Sequence, residues 1–155
     1  MKQAMYIELL IDYKDGLPRK EPVHARELGE NEYLLDSSPG FVIGVASGDT
    51  IKILNQDGKF EVLERGFNLA VQLYSTQSIR ARHKELSDLL VPLKGYIDGA
   101  IEKGIVCTIP LSAGFSEIEK VFNSFVNKYP EIEWYYGNVY DPDDGITPLN
   151  WWNKK

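Results

Sequence analysis

The sequence predicts an α+β fold, and three observations predict it. Two segments, near 78–93 and 116–129, carry apolar residues at steps of three and four, the period of an amphipathic helix. Before them, residues 4–65 break into short apolar or alternating runs punctuated by glycine, proline, asparagine and aspartate, the pattern of short strands and turns. From 67 to 137 the elements run strand, helix, strand, strand, helix, strand. That order is the one of a ferredoxin-like βαββαβ unit. The expected organisation is a small all-β, barrel-like module at 1–65, packed on the ferredoxin-like unit at 67–137, followed by an aromatic and acidic C-terminal tail at 138–155.

In the first module, Ala4 to Tyr13 reads as a strand, and Lys14-Asp15-Gly16-Leu17-Pro18 as a loop. The chain restarts after Pro22, where Val23 and Ala25 alternate with His24 and Arg26 until the pattern slips at Glu27-Leu28. A half-exposed strand with an irregularity at its end is expected there. Gly29 to Glu32 turns, Tyr33-Leu34-Leu35 returns, Ser37-Ser38-Pro39-Gly40 breaks, and Phe41-Val42-Ile43 is a short apolar segment. Gly48-Asp49 leads into an alternating strand, and Asn55-Gln56-Asp57-Gly58 marks a hairpin. The boundary is expected near Gly66, with no flexible linker, so the two units should pack together.

In the second unit, Ser78 is placed to cap a first helix whose stripe is Ile79, Leu86, Leu89, Leu90 and Leu93, with Pro92 as its bound. Arg80, Arg82, Lys84 and Glu85 read as its solvated face. Ser116-Glu117-Ile118-Glu119 has capping-box spacing, and Ile118, Val121, Phe122, Phe125, Val126 and Tyr129 follow on one face until Pro130. The strands are Leu69 to Tyr74, Gly95 to Ile101, Ile105 to Pro110 and Ile132 to Tyr136, with Glu102-Lys103-Gly104 as a hairpin turn. Both helices are expected on one face of this sheet, with the other face solvated, covered or used for binding.

Composition bounds the function. The 155 residues carry 23 acids against 17 bases, a net charge of −6, with 43% apolar and 12% aromatic residues. An acidic chain disfavours binding driven by phosphate neutralisation, so no nucleic acid is expected, and it complements a basic protein partner. One cysteine, Cys107, allows no internal disulfide. The N-terminal Met1-Lys2-Gln3-Ala4-Met5-Tyr6-Ile7-Glu8 has no cleavable apolar leader, and no run is long enough to span a membrane. A cytoplasmic protein without membrane association is expected.

No residue set forces a reaction. His24 lies on a strand and His83 in a helix of the other unit, so neither is placed by the sequence beside Cys107, which sits in an apolar strand and reads as a buried, inert thiol. Asp141-Pro142-Asp143-Asp144-Gly145 fails the calcium-loop pattern, because glycine falls at position 5 and Trp152 at position 12, and it reads as a turn. Gly40, Gly44 and Gly48 lack the lysine and hydroxyl of a phosphate loop. Glu131 and Glu133 share a strand face without forming a marked acid–base pair. The expectation is no enzyme, no cofactor and no metal.

The stretch His24 to Asp36, then Phe41 to Ile53 with its Gly48-Asp49, then Glu64-Arg65-Gly66, resembles a bacterial family of small standalone proteins known only as a domain of unknown function. The resemblance spans about residues 20–110; where the family has Asn-x-Pro-Phe, this chain has Asp36-Ser37-Ser38-Pro39-Gly40-Phe41. It implies no catalytic residues. In type, the chain is also similar to the immunity proteins that bacteria encode beside their toxins. The expected function is therefore a cytoplasmic immunity protein that occludes the active site of a basic toxin domain. Asp141, Asp143 and Asp144 would meet basic residues, and Tyr140, Trp151 and Trp152 would serve as anchors, since tryptophan and tyrosine dominate interface hot spots. Folding of Trp151 and Trp152 back onto the sheet or the junction is equally compatible, one tryptophan anchoring the tail while the other stays exposed. The alternative is a small-ligand-binding or regulatory domain using the open sheet face around Tyr96 and Asp98.

Overall fold

The computed structural model describes residues 4–153; residues 1–3 of the N-terminal segment and 154–155 of the tail lie outside it. The chain is α+β, with two antiparallel sheets. The first sheet is a meander of β1 (Ala4–Lys14), β2 (Leu17–Gly29), β3 (Glu32–Leu35), β4 (Thr50–Ile53) and β5 (Phe60–Glu64), in sequence order. Because β1 and β5 do not pair, the sheet is open, and the expected barrel-like module is not a closed barrel. It does curl. The β4–β5 turn lies on β1, where the Leu10 N–H donates to the Gly58 carbonyl at 2.9 Å. A Cβ on Gly58 would stand 2.7 Å from the Glu8 carbonyl oxygen, so only glycine fits.

Strand β2 runs further than the sequence predicts, straight through Pro18 and Pro22. Between residues 17 and 24 it has β1 on one side only, since β3 pairs with it from Ala25 onward. A proline whose absent N–H faces that open side removes no interstrand hydrogen bond. The register slips between Glu27 and Gly29, at the irregularity read from Glu27-Leu28. Ile7, Leu9, Val23, Ala25, Leu35 and Ile51 form the core of this sheet.

The second sheet, ordered β7-β8-β6-β9, is built from β6 (Asn68–Ser75), β7 (Tyr96–Ile101), β8 (Gly104–Pro110) and β9 (Ile132–Tyr136). Helix α1 (His83–Leu90) joins β6 to β7 between two 3-10 turns, and α2 (Phe115–Lys128) joins β8 to β9. Leu69, Val71 and Leu73 of β6 and Ile105, Cys107 and Ile109 of β8 share one core with Leu86, Leu90, Ile118, Phe122 and Phe125 of the helices. Leu89, expected in the α1 stripe, is at the surface, while Leu86 and Leu90 of the same helix are buried. The expected capping box does not form. Gly114, at φ +85°, is the N-cap, and the Ile118 N–H closes the first turn on its carbonyl at 3.1 Å. Glycine reaches that conformation at little cost and so starts the helix ahead of Ser116.

Residues 36–49, between β3 and β4, form a strap across the helix-free face of the second sheet. The Gln72 side-chain amide donates to the carbonyls of Pro39 and Val42, at 3.0 and 3.1 Å, and the Tyr74 hydroxyl to that of Gly40 at 2.7 Å. From the first sheet, the Glu21 carboxylate accepts the N–H groups of Gly40, Phe41 and Val42. The centre of the sheet face expected to be open is therefore roofed by the chain itself. Its far end is fixed by Asp49, which is fully buried and accepts from the N–H of Ala46 at 3.0 Å, the N–H of Gly66 at 2.8 Å and the Arg65 guanidinium at 3.2 Å. Arg65 also donates to the Gly44 carbonyl at 2.9 Å. Backbones touch here: a Cβ on Gly66 would lie 2.4 Å from the Gly48 carbonyl carbon.

Removing one partner of a buried, hydrogen-bonded ion pair costs far more than breaking an exposed one. Asp49→Ala is therefore expected to destabilise the protein by about 3–5 kcal/mol in urea unfolding. Asp36→Ala, which breaks the exposed Arg26–Asp36 pair, is expected to cost about 1 kcal/mol or less. Equal costs would contradict the role given to Asp49.

Candidate functional site

Strand β9 lies at one edge of the second sheet, and its alternation divides its side chains. Trp134 and Tyr136 point to α2. Trp134 stacks on Phe122 with ring centroids 5.3 Å apart and donates its indole N–H to Asn123 at 2.9 Å. Tyr136 donates to the Glu119 carboxylate at 3.0 Å; burial, with the Glu119 charge beside it, pushes its hydroxyl well above the usual phenol range. Tyr135, on the other face, lies 6.1 Å from the ring of Tyr74 and donates to Glu133 at 2.7 Å.

Past β9 the chain is held by Asn138, which is fully buried. Its amide donates to the Asn68 carbonyl at 2.9 Å and its side-chain oxygen accepts the Ala70 N–H at 3.0 Å. Tyr140 then bridges to Pro148, and the acidic turn projects beside β9. Together β9, α2, the strap and this turn surround a cleft of about 620 Å³. Its walls include Glu119, Asn123, Trp134, Tyr135, Tyr136, Tyr140 and Asp141; the charged residues among its lining are the two carboxylates, and no lysine or arginine joins them.

Of the residues expected to bind a partner, Tyr140 and Asp141 line this cleft. Asp143 and Asp144 sit on the exposed turn next to it. The acids first of all build that turn. Asp141 accepts the Asp143 N–H at 2.9 Å. Asp144 accepts the Thr147 hydroxyl and the N–H groups of Ile146 and Thr147, which hold its carboxyl below the usual range. Trp151 is only 5% exposed, donates to the Asn138 carbonyl at 2.8 Å and meets Phe67 edge-on, so it closes the core and does not present an exposed anchor. Trp152 is half-buried against Phe115. Sequence reasoning does not assign Glu119, Asn123, Trp134, Tyr135 and Tyr136 to a site; the run of three aromatics at 134–136 is the signal for the strand residues, and none marks Glu119 or Asn123.

A second, smaller pocket of about 240 Å³ lies beside the strap at Phe41, between Phe41, Tyr74, Val106 and the small residues Gly99, Ala100 and Gly104. Of the expected ligand contacts, Asp98 is tied to the strap, while Tyr96 stays exposed with its hydroxyl 3.4 Å from that of Ser47. The Ser47 N–H donates to Ser38 at 2.9 Å, Ser38 and Thr108 share a hydrogen bond of 2.6 Å, and Thr108 donates to Asp98 at 2.5 Å. Since Thr108 donates to the carboxylate, the Ser38 hydroxyl supplies the proton of the middle bond. Asp98 is the extra residue of a bulge between Ile97 and Gly99, which turns its carboxyl to this chain of hydroxyls. Cys107, on the opposite face, is buried, and burial raises its thiol far above the ordinary value. His24 is exposed and packs on Tyr6 at 4.1 Å, and His83 is exposed at the start of α1. Among the described residues no three His, Cys, Asp or Glu side chains are grouped to hold a metal. No helix of the described residues is long and apolar enough to cross a membrane.

Burial raises the Asp98 carboxyl from 3.8 to about 6 against the bonds from Thr108 and Ser38. Between about pH 4 and pH 6 the folded chain thus binds more protons at this site than the unfolded chain, and the contribution of Asp98 to stability falls as pH rises through that window, then levels. Unfolding curves of the wild type and Asp98→Asn across this range should show the wild type losing ground to the variant. A pH-independent difference would contradict the assignment.

The family model of a domain of unknown function (DUF4265) matches residues 21–130. No curated protein matches the chain. A crystal structure of a hypothetical protein from Neisseria gonorrhoeae is similar, with a TM-score of 0.64 and 14% identity over 88% of this chain and 94% of that one. At that identity the likeness concerns the fold alone.

Proposed function

The chain belongs to the DUF4265 family of unknown function, and from that premise we propose that it is a non-catalytic, cytoplasmic binding protein whose β9 face takes a basic protein partner. The most specific form of the reading is an immunity protein that occludes the active site of a toxin. The cleft along β9 carries it. It joins two carboxylates, Glu119 and Asp141, to the rings of Trp134, Tyr135, Tyr136 and Tyr140, with no base in its lining. Aromatic contact area with a charged rim is what protein interfaces use, and negative charge steers a positive partner. The buried thiol of Cys107 and the surface positions of His24 and His83 give no support to nucleophilic catalysis.

The same proposal includes the finer architecture. The strand order β7-β8-β6-β9 with two connecting helices supports a ferredoxin-like unit at 67–137, with a separate β module at 1–65 and the tail at 138–155 as its docked extension. The 240 Å³ pocket supports a second reading, a small apolar ligand held between Phe41 and the β7–β8 hairpin. Thermal stabilisation by small apolar compounds, lost in Gly99→Leu, would favour it over the protein-binding reading.

The protein-binding reading is tested by co-expressing the chain with the product of the gene beside its own and following growth and complex formation. A stoichiometric complex and rescue from toxicity are expected. Charge reversal at Asp141 and Asp143 is expected to slow association about tenfold at low salt and much less at high salt. An association rate unchanged by these reversals would remove this face from the interface.

A further inference from the structure

We propose that β9 takes an extended, lysine- or arginine-bearing segment of the partner as an added strand; this deepens the reading of the same face and rests on it. The Gly137 N–H donates to the Ala70 carbonyl at 2.8 Å. In an antiparallel pair the direction alternates, so Tyr135 and Glu133 also turn their backbone groups to β6, while Trp134 and Tyr136 turn theirs to the free edge. That edge runs along the cleft, which supplies the space a further strand needs.

The sheet edges are not alike. Among the described residues, β1, β5 and β7 each meet their neighbour with a break in register, between Leu10 and Asp12, at Thr50/Ile51 and between Ile97 and Gly99. Bulges of this kind disturb an edge and discourage further pairing. Strand β9 pairs with β6 in unbroken register over all five residues, and Ile132-Glu133-Trp134-Tyr135-Tyr136 contains no proline and no lysine. It is the edge the fold leaves fit for pairing.

Charge selects the occupant. Alternate side chains of an added strand would fall beside Glu119 on the α2 side and beside Tyr135 and Glu133 on the other, with Asp141 near one end. A second copy presenting β9 would bring further carboxylates, Glu133 and Glu119, to the same edge, and its β9 offers no base in return. A partner segment alternating basic and β-branched residues sets its bases on the Glu133 face and its apolar side chains on the face of Trp134 and Tyr136.

The probe is the capped peptide acetyl-Lys-Val-Lys-Val-Lys-Val-amide, with an N-methylated twin and a twin in which glutamate replaces lysine. Amide exchange by NMR on the full chain reads the site. The parent peptide is expected to slow exchange at Trp134 and Tyr136 at least about tenfold at saturation, and N-methylation to weaken binding by about the same factor. The glutamate twin should not bind, and Glu133→Lys, at an exposed position, should weaken the parent peptide. Equal binding of the N-methylated twin would overturn strand addition while leaving a charge-driven interface intact. Binding of the glutamate twin, or no protection at Trp134 and Tyr136 by the parent peptide, would overturn the proposal. So would a concentration-dependent dimer that protects the same amides without peptide.

Discussion

The Asp49 carboxylate holds the molecule's two halves in register. It is buried between the strap and the β5–β6 connection, and two backbone N–H groups and the Arg65 guanidinium offset part of its lost hydration, burial still holding its carboxyl above the usual range. A carboxylate without such partners would not stay ionised in that position. Because its donors come from both sides of the junction, the site forms only when Gly48 and Gly66 are in backbone contact. That contact admits no side chain on Gly66. The strap's course over the second sheet follows, since its other fastenings, Gln72, Tyr74 and Glu21, all accept or donate along the path Asp49 fixes.

This arrangement decides where function has room. A four-stranded sheet with helices on one face leaves its other face to be covered or used, and here the strap covers its centre. What remains is peripheral: the small pocket under Phe41 and the long cleft beside β9. The tail contributes to the second of these from behind. Asn138 and Trp151 anchor it to β6 and Phe67, so that Tyr140 and the acidic turn stand at a fixed distance from the strand edge. Charge at the rim and rings in the wall then occur together because one rigid tail supplies part of each.

The elements legible in the sequence were those whose signal is periodic. Strand β9 falls on Ile132 to Tyr136 as the apolar alternation indicates, and the buried face of α2 carries Ile118, Phe122 and Phe125 as their spacing requires. Local motifs without periodicity misled. The Ser116–Glu119 box is a sound cap in isolation, but Gly114 offers an earlier start. Pro18 and Pro22 read as breaks because their tolerance depends on a missing neighbour strand, which no local window contains. The strap was invisible as structure, since much of its order comes from side chains 19 to 70 positions away in sequence. Its C-terminal end and the segment that fastens it were nonetheless visible as motifs: Gly48-Asp49 and Arg65-Gly66 are among the residues on which the family resemblance rests, and they meet in backbone contact. Trp151 and Trp152 stood out by type, but type alone does not tell an interface anchor from a core plug. The cleft joins residues from α2, β9 and the tail, a juxtaposition set by topology.

A closed strap lies over the sheet, and an open strand edge lies beside it. Amide hydrogen exchange on the free protein tests both statements in one measurement. The prediction is that Gly40, Val42, Ser47 and Gly48, whose N–H groups are held by Glu21, Ser38 and Leu35, exchange only as slowly as global unfolding allows, while Trp134 and Tyr136 exchange fast. Fast exchange along the strap, with slow exchange at Trp134 and Tyr136, would contradict it: the sheet face would then be the accessible surface, and β9 the one already occupied.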